Sequence, residues 1–128
     1  MKFIETNNAP IPKGHYSQAV IANGLIFVSG LLPTIPNTNR QMPEGIAGQT
    51  EQIFTNMRAI LQAANSDLEH LVSVQVFIPD IEYWSIVNEI FARTLGNHKP
   101  ARTIIPCNPL HYGALIEANA VAVVSKLG

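Results

Sequence analysis

The sequence predicts an α+β domain in which two helices cover one face of a mixed β-sheet. The passage from residue 71 to 106 is typical of a strand, a helix and a second strand, and such a βαβ unit pairs its strands in parallel. Asn23-Gly24 lies between two apolar runs and indicates an antiparallel hairpin. Two helices are too few to cover both faces of a wide sheet, so we expect both on one face, in two layers.

The predicted element order is β-β-β-α-β-α-β-β, within a single domain of residues 1–128. Apolar residues at spacings near 3.6 predict the helices, and β-branched runs bounded by Gly, Pro or Asn predict the strands. Gln52, Asn56 and Gln62 are expected on the outer side of the first helix, and Trp84 on the inner side of the second. The predicted strands are 2–6, 16–22, 25–29, 71–78, 101–106 and 113–124, and the predicted helices are 46–64 and 81–95.

The last predicted strand has two unlike sides. Ala118, Ala120 and Ala122 share one side, which suits close packing under helices. Glu117 and Asn119 share the other side with Val121 and Val123, a mixture too polar for a dry core and too apolar for open solvent. We therefore expect that side to form a subunit interface with a binding site in it.

The composition supports the same expectation and excludes several function classes. Charged residues are 13% of the chain, against about 25% in typical soluble domains, so part of the surface is expected to be covered by another subunit. The net charge of -1 gives no basic surface for nucleic acid, and no apolar run approaches the length of a membrane span. Glu5 interrupts any signal-like stretch, and the single cysteine fits a reducing compartment, so we expect a cytoplasmic protein.

Arg102 and Glu117 are each the sole full charge in their predicted strands. They are compatible with a structural ion pair that braces two strands. They are also compatible with a site in which Arg102 grips a carboxylate and Glu117 acts as a general base. From the residues alone the structural pair is favoured, because structural pairs are commoner than catalytic ones.

Other candidate groups carry weaker signals. Tyr16 flanks the hairpin, and Ser29-Gly30 lies at a predicted strand end, where backbone N–H groups can bind a ligand oxygen. Cys107 has no neighbouring base in the sequence and is interpreted as a loop thiol. The four histidines are widely separated, so no metal site is expected.

Nearly the whole chain resembles the RidA family (reactive intermediate deaminase A, also called YjgF-like or L-PSP endoribonuclease-like). The motifs that carry the resemblance are Asn8-Ala9-Pro10, Gly14-x-Tyr16-Ser17-Gln18-Ala19, Val28-Ser29-Gly30, Gln49-Thr50, Val76-Phe77, Val87-Asn88, Lys99-Pro100-Ala101-Arg102 and Ile116-Glu117-Ala118.

The resemblance implies a chorismate-mutase-like fold and a homotrimer with a ligand cleft at each subunit interface. It implies hydrolytic deamination of enamine and imine intermediates, such as 2-aminoacrylate, to 2-keto acids and ammonia, without a cofactor. Arg102 would grip the carboxylate of a small substrate, and Glu117 would position or activate the attacking water. Tyr16, Ser29 and Gly30 would line the cleft.

The chain departs from the family pattern at four positions. This chain has Ile104 where the family commonly has Cys and His15 where it commonly has Pro. It has Leu31 where Gln is common and Thr94 where an aromatic residue is common. These departures predict a substrate preference unlike that of typical members. A non-enzymatic trimeric protein that binds small carboxylates is the alternative, and RNA cleavage, the older family label, is disfavoured by the near-neutral charge.

Overall fold

The computed structural model describes residues 1–125 and has the predicted order of strands and helices. Short 3₁₀ turns at Leu68–His70, Ile81–Tyr83 and His111–Gly113 lie between them. No helix in this described range is long and apolar enough to cross a bilayer. The elements are β1 (Lys2–Ile4), β2 (Ala19–Ala22), β3 (Leu25–Leu31), α1 (Gly45–Ala63), β4 (Leu71–Ile78), α2 (Trp84–Leu95), β5 (Ala101–Pro106) and β6 (Glu117–Val123).

The strands form one mixed sheet in the order β1-β2-β3-β6-β4-β5. β4 and β5 are parallel, as the predicted βαβ unit requires, and β6 enters between β3 and β4 antiparallel to both. Asn23 and Gly24 have φ of 53° and 76°, the left-handed values that a type I′ hairpin turn needs. The predicted fold class and the predicted hairpin are both confirmed.

The alternation predicted for the last strand is present in β6. Ala118, Ala120 and Ala122 are at most 3% exposed, and the residues between them are half-buried. Small side chains under the helices let α1 approach the sheet, where Met57 and Ile60 are fully buried. The core therefore lies between the helices and the alanine side of β6. Glu117 is the first residue on the other side of this strand, which faces away from the helices.

Two inferences about helix faces were wrong. Trp84 is 41% exposed at the first residue of α2, because residues 81–83 form a 3₁₀ turn rather than the first turn of the α-helix. Asn56 is fully buried, because its side-chain amide binds backbone carbonyl groups of the loop after β3.

Five strand ends also differ from the prediction. β1 ends at Ile4 rather than residue 6, and β6 ends at Val123 rather than residue 124. β2 begins at Ala19 rather than residue 16, and β6 begins at Glu117 rather than residue 113. β3 continues to Leu31, so Gly30 lies inside the strand instead of ending it.

A β-bulge explains how β3 passes through Ser29 and Gly30. Val28 pairs with Ala120 and Leu31 pairs with Ala118, so β3 has one residue more than β6 between these pairs. Val28 and Leu31 both face the core despite being three residues apart. The extra residue brings Ser29 and Gly30 to the start of β6, beside Glu117.

Candidate active site

Glu117 lies in a cleft of about 460 Å³, which we call the Glu117 cleft. The walls are the N-terminal loop, the bulge of β3 with the residues that follow it, and the turn that precedes β6. The lining residues are Pro10, Ile11, Pro12, Tyr16, Gln18, Ser29, Gly30, Leu31, Leu32, His111 and Glu117. Four of the five residues predicted from the sequence for the site are therefore in one cleft: Tyr16, Ser29, Gly30 and Glu117.

Gly30 makes room for the Glu117 carboxylate. A Cβ atom at residue 30 would lie 2.5 Å from Glu117 Oε2, far closer than carbon and oxygen can pack. The backbone at Gly30 is outside the left-handed region, so the glycine is required for space rather than for its conformation. Gly30 thus forms the surface against which the carboxylate lies.

The environment of Glu117 favours its protonated form. Burial raises the pKa of the Glu117 carboxyl above its usual value, and the nearby His111 offsets part of that shift by favouring the anion. A carboxyl group with a raised pKa exchanges protons nearer to neutral pH than an exposed glutamate does. Such a group is suited to general acid–base chemistry.

Ser29 and Tyr16 contribute to the cleft in different ways. The Ser29 hydroxyl donates to the carbonyl oxygen of Ser17 at 2.6 Å, and the Ser29 N–H donates to the carbonyl oxygen of Gln18 at 3.0 Å. Both bonds hold the bulge against the chain that leads into β2. Tyr16 is 55% exposed on the cleft wall, and a phenol can both donate and accept a hydrogen bond.

Gln18 anchors the N-terminal wall of the cleft. It is 3% exposed, and its Oε1 accepts from the N–H of Thr6 at 2.7 Å. Its Nε2 donates to the carbonyl oxygen of Thr6 at 3.0 Å and of Pro10 at 2.9 Å. One buried side-chain amide therefore makes hydrogen bonds with backbone groups of the N-terminal loop that no neighbouring strand binds.

Two buried amides on α1 anchor the other walls. Gln49 donates to the carbonyl oxygen of Pro43 at 3.0 Å and accepts from the N–H of Leu115 at 2.8 Å, two residues before Glu117. Asn56 donates to the carbonyl oxygen of Thr34 at 2.9 Å. Gln18 and Gln49 stand in motifs of the family resemblance, but nothing in the pattern of Asn56 distinguishes it from an exposed helical residue.

Arg102 lies in a different cleft, on the helix side of the sheet. Its guanidinium Nη1 donates to Asn88 Oδ1 at 2.9 Å, and its Cζ lies 4.9 Å from the ring centre of Phe91 and 5.6 Å from that of Trp84. This Arg102 cleft has a volume of about 480 Å³. Asn88, Phe91 and Trp84 hold the guanidinium, and the sequence interpretation assigned none of them to the site.

The structural ion pair between Arg102 and Glu117 does not form. β4 lies between β5 and β6, and the two side chains are on opposite faces of the sheet. Within residues 1–125, no carboxylate is within ion-pair distance of Arg102. In this range the guanidinium is contacted by a neutral amide and two aromatic rings.

Cys107 and Ile104 lie close to the two clefts. Burial and the negative charge of Glu117 raise the pKa of the Cys107 thiol, so it is a poor nucleophile at neutral pH. Ile104 packs against the core on the same side of β5 as Arg102. In the portion of the chain described, no group of three His, Cys, Asp or Glu side chains could hold a metal ion.

The fold and the Glu117 cleft define a class: a two-layer α+β protein with one titratable carboxyl in a small, partly polar cleft. Comparison with known proteins identifies the family. The family model described as Endoribonuclease L-PSP matches residues 6–124. The chain therefore belongs to that family, which is the RidA family that its motifs resemble.

Three relatives illustrate the relationship. The chain is 35% identical over 126 residues to the 2-iminobutanoate/2-iminopropanoate deaminase of Bos taurus, covering 98% of this chain and 92% of that protein. The crystal structure of RidA from an Antarctic Psychrobacter species superposes with a TM-score of 0.92 at 31% identity, covering 97% and 100% of the two chains. E. coli TdcF with bound serine gives a TM-score of 0.91 at 29% identity, covering 98% and 100%.

Proposed function

We propose that this protein hydrolyses reactive enamine and imine intermediates, such as 2-aminoacrylate, to 2-keto acids and ammonia. The observation that carries the proposal is the half-buried Glu117 carboxyl, held against Gly30 in a small cleft with a raised pKa. The name of the bovine relative supports an imine as the substrate. The sequence expectation that no cofactor takes part belongs to the same proposal.

The chemistry requires little more than orientation and one proton acceptor. The imine carbon is already electrophilic, so a water molecule held by Glu117 attacks it while the carboxylate takes a proton from the water. Tyr16 and the bulge of β3 line the space in which the substrate would lie. The partly apolar lining from Ile11, Leu31 and Leu32 limits the number of competing water molecules.

Arg102 is assigned to the substrate carboxylate, and this assignment requires a second subunit. One chain keeps Arg102 and Glu117 on opposite faces of its sheet, whereas an edge strand such as β5 can meet the open face of a neighbour. Phe3 and Phe27 are 67% and 46% exposed, as expected for an apolar surface covered on assembly. We therefore propose a homotrimer whose intersubunit clefts combine Arg102 of one subunit with Glu117 of the next.

The test generates 2-aminoacrylate continuously with a dehydratase and follows keto-acid release above the uncatalysed rate. Arg102→Ala and Glu117→Gln are each expected to reduce the rate roughly 100-fold or more. Arg93→Ala is the matched control, because Arg93 is an exposed arginine of α2 that pairs with Glu51 at 3.4 Å. No acceleration by the wild type, or full activity in Arg102→Ala, would reject this function for that substrate.

Mixed assemblies test the intersubunit site directly. Arg102→Ala and Glu117→Gln subunits carrying different tags are co-expressed, and assemblies containing both are purified. In each trimer that contains both variants, one interface in three combines an intact Arg102 with an intact Glu117, so about a third of the wild-type activity should return. If both residues act within one subunit, the mixed assemblies stay as inactive as the parents.

A trimeric carboxylate-binding protein without catalysis is the second candidate. The serine bound in the structure of E. coli TdcF favours it, because serine is a small molecule with a carboxylate. Calorimetric titration with 2-ketobutyrate distinguishes the two functions. Tight binding by a protein that turns over no imine supports the binding function and contradicts the enzymatic one.

A further inference from the structure

A second titratable group, His111, lines the Glu117 cleft. The sequence interpretation considered His111 solely as a metal ligand, and neither the motifs of the resemblance nor the mechanism above uses it. His111 begins the 3₁₀ turn that leads into β6, six residues before Glu117. An imidazole at this place raises the question of whether it takes part in the proton transfers of the cleft.

The turn that carries His111 is held in an unusual conformation. Tyr112, the next residue, has φ 60° and ψ 21°, a left-handed conformation that a residue with a bulky side chain rarely adopts. Three contacts maintain it. The N–H of Ala114 donates to the carbonyl oxygen of His111 at 3.1 Å, the two rings of His111 and Tyr112 are 5.6 Å apart, and the guanidinium of Arg40 lies 4.7 Å from the Tyr112 ring centre. Strain of this kind persists where the surroundings hold a side chain in a required place.

The charged and titratable groups around His111 come from several elements. Glu117 interacts with it electrostatically from β6, and Tyr16 faces the same cleft from the N-terminal loop. Arg40 contacts the Tyr112 ring, and Cys107 lies near Glu117. Of these groups, Glu117 is the carboxyl, and its electrostatic interaction with His111 favours the Glu117 anion.

Hydrolysis of an imine needs two proton donors or one donor used twice. When water adds to the imine carbon, it loses one proton to a base. The nitrogen receives the electron pair of the C=N bond and therefore needs a proton from an acid. Departure of ammonia then requires a further proton on that nitrogen and removal of the hydroxyl proton. A cleft with both a carboxyl and an imidazole can supply each transfer without waiting for bulk water.

We propose that His111 is the second proton-transfer group of this site, which gives a proton to the substrate nitrogen and later takes one from the substrate hydroxyl. The inference rests on the proposed deaminase function. In the first step the water oxygen bonds to the imine carbon, Glu117 takes a proton from the water, and the imidazolium of His111 gives a proton to the nitrogen. In the second step the Glu117 carboxyl protonates the amine and neutral His111 takes the hydroxyl proton. The C–N bond breaks, a C=O bond forms, and both side chains return to their starting states.

The test compares His111→Gln with His70→Gln, a control in the 3₁₀ turn before β4 and outside both clefts. With 2-aminoacrylate generated in place, His111→Gln is expected to lose about 100-fold in rate. In the wild type the rate should also fall at alkaline pH as the imidazolium is lost, and this limb of the pH profile should be absent in His111→Gln. His70→Gln should retain the wild-type rate and profile.

The NMR signals of the histidine imidazoles give a readout independent of turnover. If the two groups share the cleft as proposed, Glu117→Gln displaces the imidazole signals of His111 and leaves those of His70 unchanged. Unchanged His111 signals, or an active wild type matched by His111→Gln in rate and pH profile, would overturn the role of His111 alone. A wild type that hydrolyses no imine overturns the proposed function, and the role of His111 falls with it.

Discussion

Replacing Gly30 with alanine should remove activity while leaving the fold intact. The added Cβ would lie 2.5 Å from Glu117 Oε2, whereas ordinary contacts begin near 3.4 Å, so the carboxylate must move by about 1 Å. A displacement of that size at a reacting group costs roughly 100-fold in rate. Gly30 is exposed and has no left-handed backbone, so the unfolding free energy should change by less than about 1 kcal/mol.

The assay is keto-acid release from 2-aminoacrylate, measured beside a thermal unfolding curve. The double variant Gly30→Ala with Glu117→Gln supplies the control, since the alanine can do little further harm once the carboxylate is gone. If Gly30→Ala alone retains most of the wild-type rate, the position of the Glu117 carboxylate against Gly30 is unimportant and our reading of the bulge is wrong. Additive losses in the double variant would contradict it as well.

Three further predictions concern other groups of the site. Asn88→Ala should raise the substrate concentration for half-maximal rate roughly tenfold, because Arg102 loses its 2.9 Å partner; an unchanged saturation curve contradicts this. Gln18→Ala should lower the unfolding free energy by about 1–3 kcal/mol in urea titrations, unlike Gln62→Ala, which alters an exposed residue. Because burial raises the folded-state pKa of Glu117, its charge opposes folding at neutral pH. Glu117→Gln should therefore increase the unfolding free energy at pH 7, and this gain should shrink as acid protonates the wild-type carboxyl. If the pKa of Glu117 is not raised by folding, the substitution gives no such gain.

Local sequence patterns predicted an element well where the pattern ran without interruption along the whole element. β4 occupies residues 71–78 as predicted, α1 is displaced by one residue at each end, and the Asn23-Gly24 turn has the expected dihedral angles. These features depend on neighbouring residues and on the polarity of one side of an element. The sequence contains that information directly.

The less successful inferences required knowledge of which elements are neighbours. Ser29-Gly30 has the composition of a turn, and only the pairing with β6 shows that it is a bulge inside a strand. The relation of Arg102 to Glu117 depends on β4 lying between their strands, which no local pattern shows. Asn56 could not be placed in the interior because its partners are backbone carbonyl groups 22 and 24 residues away.

The structure places Tyr16, Ser29, Gly30 and Glu117 together in one cleft and Arg102 in another. The mixed-subunit experiment is decisive here, because it asks directly whether the two clefts of neighbouring chains become one site.

The strict alternation along β6 has a consequence for how such a protein can diversify. Alanines at 118, 120 and 122 are confined beneath the helices, whereas positions 117, 119 and 121 face away from them. A point substitution in the second set can alter ligand chemistry without disturbing the first. An insertion or deletion of one residue would exchange the two sets and place Glu117 in the interior. New specificities in this scaffold are therefore accessible by substitution within β6, whereas a one-residue change in its length would need a compensating bulge like the one in β3.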